Sequence, residues 1–240
     1  MRIAVLSDIH ANLIALDAVL AAIGSVDAVW HLGDVVGYGP DPDGVVERLT
    51  AIGAAGVRGN HDAAACGGPQ IEYFNPDARA AMEWTRARIT EATRGWLGRL
   101  PERHVDGDFS LVHGSPRDPM WEYITSVPVA KANLAVLGTR YGLFGHTHIP
   151  TLFRDGDRAI ESISPGSGSE AILDERPSLL NPGSVGQPRD GDPRASYMIL
   201  DTAASSCSWH RVAYDIPAVQ AAMEARGLPP RLVARLTFGI

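Results

Sequence analysis

The chain has 240 residues, of which 45% are hydrophobic, so it is long enough to bury one sizeable core. Its 28 acidic residues outnumber its 21 basic residues and give a formal net charge of −7. This balance argues against a protein that holds nucleic acid through overall positive charge. Only Cys66 and Cys207 are present, without a CxxC pair, which excludes a disulfide framework and a thiolate zinc site.

The N-terminal sequence does not resemble a signal peptide. Ser7, Asp8 and His10 directly follow the first apolar run, too early for the apolar region of an export signal. No apolar stretch approaches the roughly 20 residues that a membrane-spanning helix needs. Because the chain also has few cysteines, we expect a soluble cytoplasmic protein without membrane contacts.

The first third of the chain alternates short apolar runs with segments of helical period. Residues 3–6 predict a strand, and the apolar spacing over 13–23 predicts a helix with Asn12 as its N-cap. The alternation continues with a strand at 28–32, a helix at 45–52 and a short strand at 55–57. Such alternation predicts a largely parallel β-sheet that is covered by helices.

In the rest of the chain, the sequence pattern changes after Pro150. Before it, the patterns predict helices after Pro76, after Thr90 and near 129–137, with short strands at 109–112 and 143–144. After it, Gly, Pro and Asp turns separate strand-like runs at 151–154, 159–163, 178–180 and 195–200. This second half is typical of antiparallel strands. A terminal helix is predicted at 217–227. Because no linker divides the chain, we expect one domain over 1–240, with a helical tail at 215–240.

Titratable residues are concentrated at the carboxyl ends of five apolar runs. In an open α/β sheet the ligand crevice lies outside the carboxyl ends of the strands, so these five endpoints should converge. The five sequences are Ser7-Asp8-Ile9-His10, Gly33-Asp34, Gly59-Asn60-His61, His113-Gly114 and Gly145-His146-Thr147-His148. Five of the eight histidines belong to this set.

Two of these sequences contain pairs of residues with i, i+2 spacing. In extended backbone this spacing sends both side chains to the same side, so Asp8 with His10, and His146 with His148, should each reach one site. Carboxylate, imidazole and amide donors without thiolate suit Mn²⁺, Fe²⁺, Zn²⁺ or Ni²⁺. Seven candidate ligands are too many for one tetrahedral ion, which favours two ions that share a carboxylate.

The order and spacing of these motifs resemble the calcineurin-like metallophosphoesterase superfamily. Three further segments resemble a small bacterial phosphodiesterase or phosphatase branch of it, and the likeness covers about residues 1–201. The segments are Val35–Pro40, His113–Pro119 and Asn181–Arg189. One departure is Gly37, because many members of the wider superfamily have a second acid at this position. The second acid is not an essential ligand in the superfamily, so the departure affects only the surroundings of the ligands.

The resemblance implies a ligand set and a catalytic residue. One ion would be held by Asp8, His10, Asp34 and His148, and the other by Asp34, Asn60, His113 and His146. Asp34 would bridge the two ions, and His61 would be the proton donor. The implied fold is α/β, with two packed mixed β-sheets flanked by helices.

These assignments predict an enzyme that hydrolyses phosphoric esters. Two divalent ions, Mn²⁺ first among the four, would carry a bridging hydroxide that attacks phosphorus directly. Two ions, two carboxylates and one hydroxide leave the site about one unit positive, so it attracts anions although the chain is acidic. A small phosphodiester or nucleotide-type substrate is our first choice and a phosphomonoester the second. No stable nucleic-acid partner is expected, and the oligomeric state stays open.

Four residues outside the motifs are candidate substrate contacts. Trp121 and Tyr123 either form an aromatic wall for a base or aryl group, or cover the core, which is slightly favoured. Arg189 and Arg194 either reach a phosphate or, more simply, pair with Asp190 or Asp192 at the surface. We therefore retain all four as hypotheses.

Several nearby residues have simpler interpretations. His31 is interpreted as a core histidine, and His104 and His210 as surface or sheet residues. Asp62 either orients His61 or is solvated, and both options stay open. Cys66 and Cys207 are given no role.

Two other functions are compatible with parts of the pattern. Relatives of this fold that have lost metal ligands act as non-catalytic scaffolds, but all seven ligands are present here. The second alternative is metal-dependent hydrolysis of a C–N bond, because an H-x-H motif also occurs near the start of many amidohydrolase sequences. Those enzymes use a (β/α)₈ barrel, and the strand-rich second half does not supply its alternation.

Overall fold

The structure is a computed structural model that describes residues 1–156 and 158–240. Its strands are β1 (Arg2–Leu6), β2 (Ala28–His31), β3 (Ala55–Gly56), β4 (Arg103–Asp106), β5 (Phe109–Val112), β6 (Tyr141–Leu143), β7 (Thr151–Arg154), β8 (Glu161–Ile163), β9 (Glu170–Ile172), β10 (Ser178–Asn181), β11 (Ala195–Asp201) and β12 (Ser206–Val212). Its α-helices are α1 (Leu13–Ile23), α2 (Pro42–Ala51), α3 (Asn60–Ala65), α4 (Pro76–Arg86), α5 (Glu91–Arg99), α6 (Val127–Leu134), α7 (Ile216–Ala225) and α8 (Pro230–Arg235). A short 3₁₀-helix covers Pro69–Tyr73.

The strands form two mixed sheets of six. In the first sheet the order is β3-β2-β1-β11-β12-β9, with β1, β2 and β3 parallel and β11 antiparallel to β1. In the second the order is β4-β5-β6-β10-β7-β8, with β5, β6 and β10 parallel. The parallel strands of the first third are therefore confirmed. The strands after Pro150 pair mostly antiparallel, as predicted, but they are divided between both sheets, and β10 runs parallel to β6.

The two sheets pack face to face, with helices on their outer faces. Alternate residues of β1 show this arrangement, because Ile3 and Val5 enter the core between the sheets while Ala4 and Leu6 enter the core under α1 and α2. A strand buried on both faces is apolar throughout, which explains its unbroken apolar run. Helix α6 covers the outer face of the second sheet. The layers are thus helix, sheet, sheet and helix, as the resemblance implies.

The tail forms two helices where the sequence predicts one. Helix α7 matches the expectation closely, and Asp215 caps it by accepting from the amide of Ala218. Helix α8 follows Pro229 and was not predicted. Apolar residues of both helices pack on Ala78 and Ala81 of α4 and on Tyr38. The tail therefore lies against the loop that follows Asp34.

The described helices are all too short or too polar to cross a membrane.

Candidate metal centre

The seven predicted ligands converge at one edge of the two sheets. Each follows the carboxyl end of a strand: β1, β2, β3, β5 and β6 in turn, with Asn60 as the first residue of α3. All seven are at most 3% exposed. They are Asp8, His10, Asp34, Asn60, His113, His146 and His148. Residues spread over 140 positions of the chain thus share one buried site.

Asp8, His10 and His148 form the first ligand group. Nε2 of His148 lies 3.2 Å from Oδ1 of Asp8 and 3.2 Å from Nε2 of His10. Nε2 of His10 lies 3.9 Å from the same Asp8 oxygen. Three electron-pair donors therefore face a common point.

His113 is at the centre of the second group. Its Nε2 lies 3.0 Å from Oδ1 of Asn60, 3.0 Å from Nδ1 of His146 and 3.3 Å from Oδ2 of Asp34. The donor set is two imidazoles, one amide oxygen and one carboxylate, without sulfur. This chemistry suits a borderline divalent ion.

Asp34 connects the two groups. Its Oδ2 lies 3.7 Å from Nε2 of His10 and 3.3 Å from Nε2 of His113, so one carboxylate oxygen faces both. Its Oδ1 accepts a hydrogen bond from the amide of His61, 2.9 Å away. A Cβ on Gly59 would come within 2.1 Å of this oxygen, so the close approach requires glycine at residue 59. The carboxylate is held where a bridging ligand would be.

The donors fit metal ions. Ligands about 2.1 Å from a common ion are separated from each other by about 3.0–3.4 Å in octahedral or tetrahedral geometry, and most of the separations above are of this size. Oδ1 of Asp8 and Nε2 of His146 are buried and have no hydrogen-bond partner among the described residues. Buried polar atoms without partners carry a free-energy penalty that a metal ligand avoids.

Backbone carbonyls orient three of the imidazoles. Nδ1 of His10 faces the carbonyl of Val36 at 3.2 Å, and Nδ1 of His148 faces that of Gln187 at 2.6 Å. Nδ1 of His113 faces the carbonyl of Leu32 at 2.9 Å. A carbonyl can only accept, so Nδ1 carries the proton and Nε2 presents its lone pair to the site.

The ligand loops have an unusual backbone. Five ligands have positive φ between 50° and 65°, a conformation uncommon outside glycine: Asp8, His10, Asp34, His146 and His148. The argument from extended i, i+2 spacing is therefore wrong, although the pairs it joined do meet. Tight left-handed turns at the strand ends bring them together.

Charge also favours the ligand form of the carboxylates. Burial alone would raise the pKa of Asp34, but His113 and His61 offset this and hold it well below its usual range. The pKa of Asp8 is lowered in the same way, mainly by His148 against the effect of burial. Both carboxylates are therefore ionised at neutral pH.

Comparison with known proteins agrees with this geometry. The sequence model of the calcineurin-like phosphoesterase superfamily domain matches residues 1–205. The chain belongs to this superfamily. A crystal structure of a metallophosphoesterase from Sphaerobacter thermophilus is 43% identical, covers 100% of both chains and superposes with a TM-score of 0.93.

Two relatives extend the comparison. An uncharacterized protein of Methanocaldococcus jannaschii is 35% identical over 99% of this chain and 98% of its own length. A symmetrical bis(5'-nucleosyl)-tetraphosphatase of Pectobacterium carotovorum is 33% identical over 57% of this chain. The matched part spans 51% of that enzyme, about half its length.

Asp62 has neither of the two roles that the sequence left open. It is completely buried and accepts hydrogen bonds from the amides of Val35, Val36 and Gly59, at 2.9, 3.1 and 2.9 Å. It therefore joins the loop that carries Asp34 to the loop that carries Asn60. The bonds from Val35 and Val36 join distant segments, which local sequence patterns do not record, and this role was therefore missed.

His61 lies beside the first ligand group. Its ring centroid is 4.9 Å from that of His10 and 4.4 Å from that of Tyr38, and its Nδ1 is 3.1 Å from Sδ of Met82. His61, His10 and Asp34 also form a group of potential ligands. Burial lowers the pKa of His61 to about 4, although Asp34 opposes the shift. The ring is therefore neutral at neutral pH in the free protein.

A cavity of about 330 Å³ opens above the ligands. Trp121 and Tyr123 both line it, and the Tyr123 ring stacks on His146 with centroids 3.8 Å apart. These two residues thus form a cavity wall, and covering the core is not their main role. Asn60, His61 and His148 line the cavity floor, as does Asp34.

The two predicted arginines have different environments. Arg189 lines the cavity, and its guanidinium carbon lies 5.8 Å from the Tyr38 ring centroid. Arg194 forms a two-pronged ion pair with Asp192 and is not among the residues that line the cavity. The surface interpretation therefore holds for Arg194, because a nearby carboxylate already satisfies its guanidinium. We withdraw Arg194 as a substrate contact.

The remaining histidines lie away from the ligand groups. His31 is completely buried and stacks on Trp96, with ring centroids 5.6 Å apart, as a core residue would. His104 lies on β4, and His210 lies on β12 against Tyr197. Cys66 and Cys207 are both free thiols.

Proposed function

We propose that this protein is a dinuclear metal-dependent phosphodiesterase acting on small nucleotide-type esters. The observation that carries the proposal is the position of Asp34, whose single oxygen Oδ2 faces His10 in one ligand group and His113 in the other. A carboxylate shared in this way is what two adjacent ions require. The first ion would be held by Asp8, His10, Asp34 and His148, and the second by Asp34, Asn60, His113 and His146.

Two divalent ions in these groups would supply positive charge for the phosphoryl oxygens and an acidified water molecule as nucleophile. We expect Mn²⁺ first, and Fe²⁺, Zn²⁺ or Ni²⁺ as substitutes, because the donors are nitrogen and oxygen only.

Three side chains act on the substrate directly in this proposal. Arg189 donates hydrogen bonds to phosphoryl oxygens, and Tyr123 and Trp121 contact the organic part of the ester. The open side of the cavity is where these groups meet solvent. The chain thus provides anion recognition and an apolar surface in one place.

His61 transfers the proton to the leaving group. The neutral ring gains its proton when an anionic phosphoryl group binds beside it, because nearby negative charge stabilises the imidazolium and raises the pKa. The ring is fixed for this role by contacts with Tyr38 and Phe74 on its sides. Transfer then neutralises the departing alkoxide or phenoxide.

The preference for a diester or nucleotide rests on two observations. The cavity wall is aromatic, which suits stacking with a base. In addition, the relative that is 33% identical over half its length is named for hydrolysis of a dinucleoside polyphosphate. Phosphomonoesters are the second choice.

A non-catalytic scaffold of the same fold is the alternative function. Its supporting observation would be a missing or misplaced ligand, whereas here all seven converge. The C–N hydrolase is excluded, since the chain forms two packed sheets and not a (β/α)₈ barrel.

The deciding experiment removes metal with a chelator and restores it as Mn²⁺. Turnover is then measured on bis(4-nitrophenyl) phosphate, 4-nitrophenyl phosphate and 4-nitroacetanilide at equal concentrations. We expect metal-dependent release of 4-nitrophenolate, fastest from the diester, and no cleavage of the anilide. Full metal binding without turnover of either ester would support the scaffold.

A further inference from the structure

The C-terminal tail adds a cationic residue to the cavity. Helix α8 lies outside residues 1–205, which the superfamily match covers, yet Arg235 at its end lines the same cavity as Asp34, His61 and Arg189. The packing of Leu232 and Leu236 in the cluster around Tyr38 fixes the position of this helix. Arg235 is therefore a built-in part of the cavity wall.

Neither cavity arginine is paired with an acidic side chain of the described residues. Arg189 donates to Oε1 of Gln187 at 2.9 Å, and its Nε is buried without a hydrogen-bond partner among the described residues. Nε of Arg235 donates to the main-chain oxygen of Ile240, the last residue of the sequence. Within the described part of the chain, no acidic side chain lies at ion-pair distance from either guanidinium. The exposed arginines 194 and 231, by contrast, each pair with an aspartate.

The two half-buried guanidinium groups repel each other. Burial, followed by the charge of Arg189, lowers the pKa of Arg235 below its usual range. Such a pair becomes favourable when an anion lies between the two guanidinium groups, because each planar fork then satisfies its donors on oxygen. The arrangement is typical of phosphate recognition.

Arg235 also borders a second cavity, which the predicted metal ligands do not line. A second cavity of about 680 Å³ shares Asn75 and Arg235 with the first. It is lined by Leu232, Phe238 and Ile240 among others, and none of the seven ligands contributes to it. Arg235 thus lies where the two cavities meet.

We propose that Arg189 and Arg235 together bind a second phosphoryl group of the substrate, next to the one that is hydrolysed. The preferred substrates are therefore nucleotide-type esters with at least two phosphoryl groups. The adjoining cavity has room for the part of the substrate that follows the second phosphoryl group. This inference rests on the proposed function, which assigns the first phosphoryl group to the ligand groups.

The test compares the binding of AMP, ADP and adenosine 3′,5′-bisphosphate by calorimetry. It uses Mn²⁺-loaded protein carrying His61→Ala, so that the ligands are not consumed. Arg235→Gln and Arg235→Lys are added to this background, with Arg226→Gln as the control, because Arg226 is an exposed tail arginine that lines neither cavity. Metal chelation by each ligand is the same for every variant and cancels in the comparison.

We expect one of the two bisphosphorylated ligands to bind about tenfold more tightly than AMP, since a charged hydrogen-bonded contact is added. Arg235→Gln should remove most of this preference, and Arg235→Lys should keep part of it, because lysine retains the charge without the fork. Arg226→Gln should keep all of it. Preference for ADP would place the second phosphoryl group in an anhydride, and preference for the bisphosphate would place it across the ribose.

Equal affinity for all three ligands in the His61→Ala protein would overturn the inference. So would an unchanged preference in the Arg235→Gln protein. Thermal unfolding of each variant shows whether the tail stays packed, and Arg235→Lys provides a folded comparison if Arg235→Gln is unstable. Failure of the wild-type protein to cleave any ester would refute the proposed function separately, since this binding test needs no turnover.

Discussion

Gly37 lies directly against the ring of His61. A Cβ at Gly37 would come within 2.4 Å of Nδ1 of His61 and 2.9 Å of Sδ of Met82, and the backbone there has φ of +90°. Where many members of the wider superfamily have a second acid, this chain leaves no space for any side chain. The departure seen in the sequence thus creates the packing that holds the imidazole.

Gly37→Ala should therefore displace His61. We expect kcat to fall by about a hundredfold, since a shift of about 1 Å in a positioned group has that effect, while metal content stays at the wild-type level. Gly53→Ala is the matched control, because Gly53 also has positive φ, +66°, but no atom of the described residues lies within 4 Å of its added Cβ. Equal kcat in the two variants would show that the contact has no catalytic role.

His61→Ala tests the proposed proton donor. Loss of general acid catalysis should lower kcat by about 10²- to 10⁴-fold while both ions remain bound, as measured by metal analysis of the purified protein. The ligand groups without His61 are complete, which is why metal should stay. His104→Ala, on β4, is the control and should change neither quantity. Loss of an ion from the His61 variant would instead make His61 a ligand.

Asp34→Ala, unlike His61→Ala, should lose bound metal. Removing the carboxylate that faces both His10 and His113 should lower the metal content from about two ions per chain to fewer than one. Asp17→Ala removes a carboxylate that forms a surface pair with Arg48 and serves as the control. Retention of both ions by the Asp34 variant would contradict the bridging assignment.

Much of this site was visible in the sequence because its chemistry coincides with strand ends. Asp8, Asp34 and His113 each follow an apolar run, and such ends meet in an α/β sheet. The conformation that brings them together was not visible. Left-handed backbone at Asp8 and His10 is imposed by tertiary packing, which local patterns do not record.

Other parts depend on contacts between distant segments. Strand β12 was not predicted, because only Cys207 and Trp209 of its seven residues enter the core between the sheets. Arg235 has no motif around it and reaches the cavity only because the tail packs on Tyr38. Arg189 and Arg194 look equivalent in the sequence, and only the ion pair with Asp192 distinguishes them.

Arg189→Ala and Arg194→Ala should accordingly differ. We expect the KM for bis(4-nitrophenyl) phosphate to rise about tenfold in Arg189→Ala, since a charged donor to the phosphoryl group is lost. Arg194→Ala should change KM by less than about twofold, because Arg194 is not among the residues that line the cavity, and the loss of its exposed ion pair costs little stability. Steady-state kinetics on both variants measures this. Similar KM values in the two variants would remove Arg189 from the substrate site.

The burial of His31 predicts how the free energy of unfolding of the metal-free protein depends on pH. It is completely buried, and neither ring nitrogen has a hydrogen-bond partner among the described residues. Burial lowers the pKa of His31 from 6.5 to about 4. Between these two values the unfolded chain takes up a proton that the folded chain does not, so the free energy of unfolding decreases as pH falls from 6.5 to about 4.

His31→Phe removes this titration while keeping a ring against Trp96. Between pH 7 and pH 5 the variant should lose about 2 kcal/mol less unfolding free energy than the wild type, at 1.36 kcal/mol per pKa unit. The other buried histidines titrate equally in both proteins, so they cancel in this difference. Urea unfolding of chelated protein at the two pH values measures it. If both proteins lose the same free energy, the ring of His31 takes up its proton in the folded state as readily as in the unfolded chain.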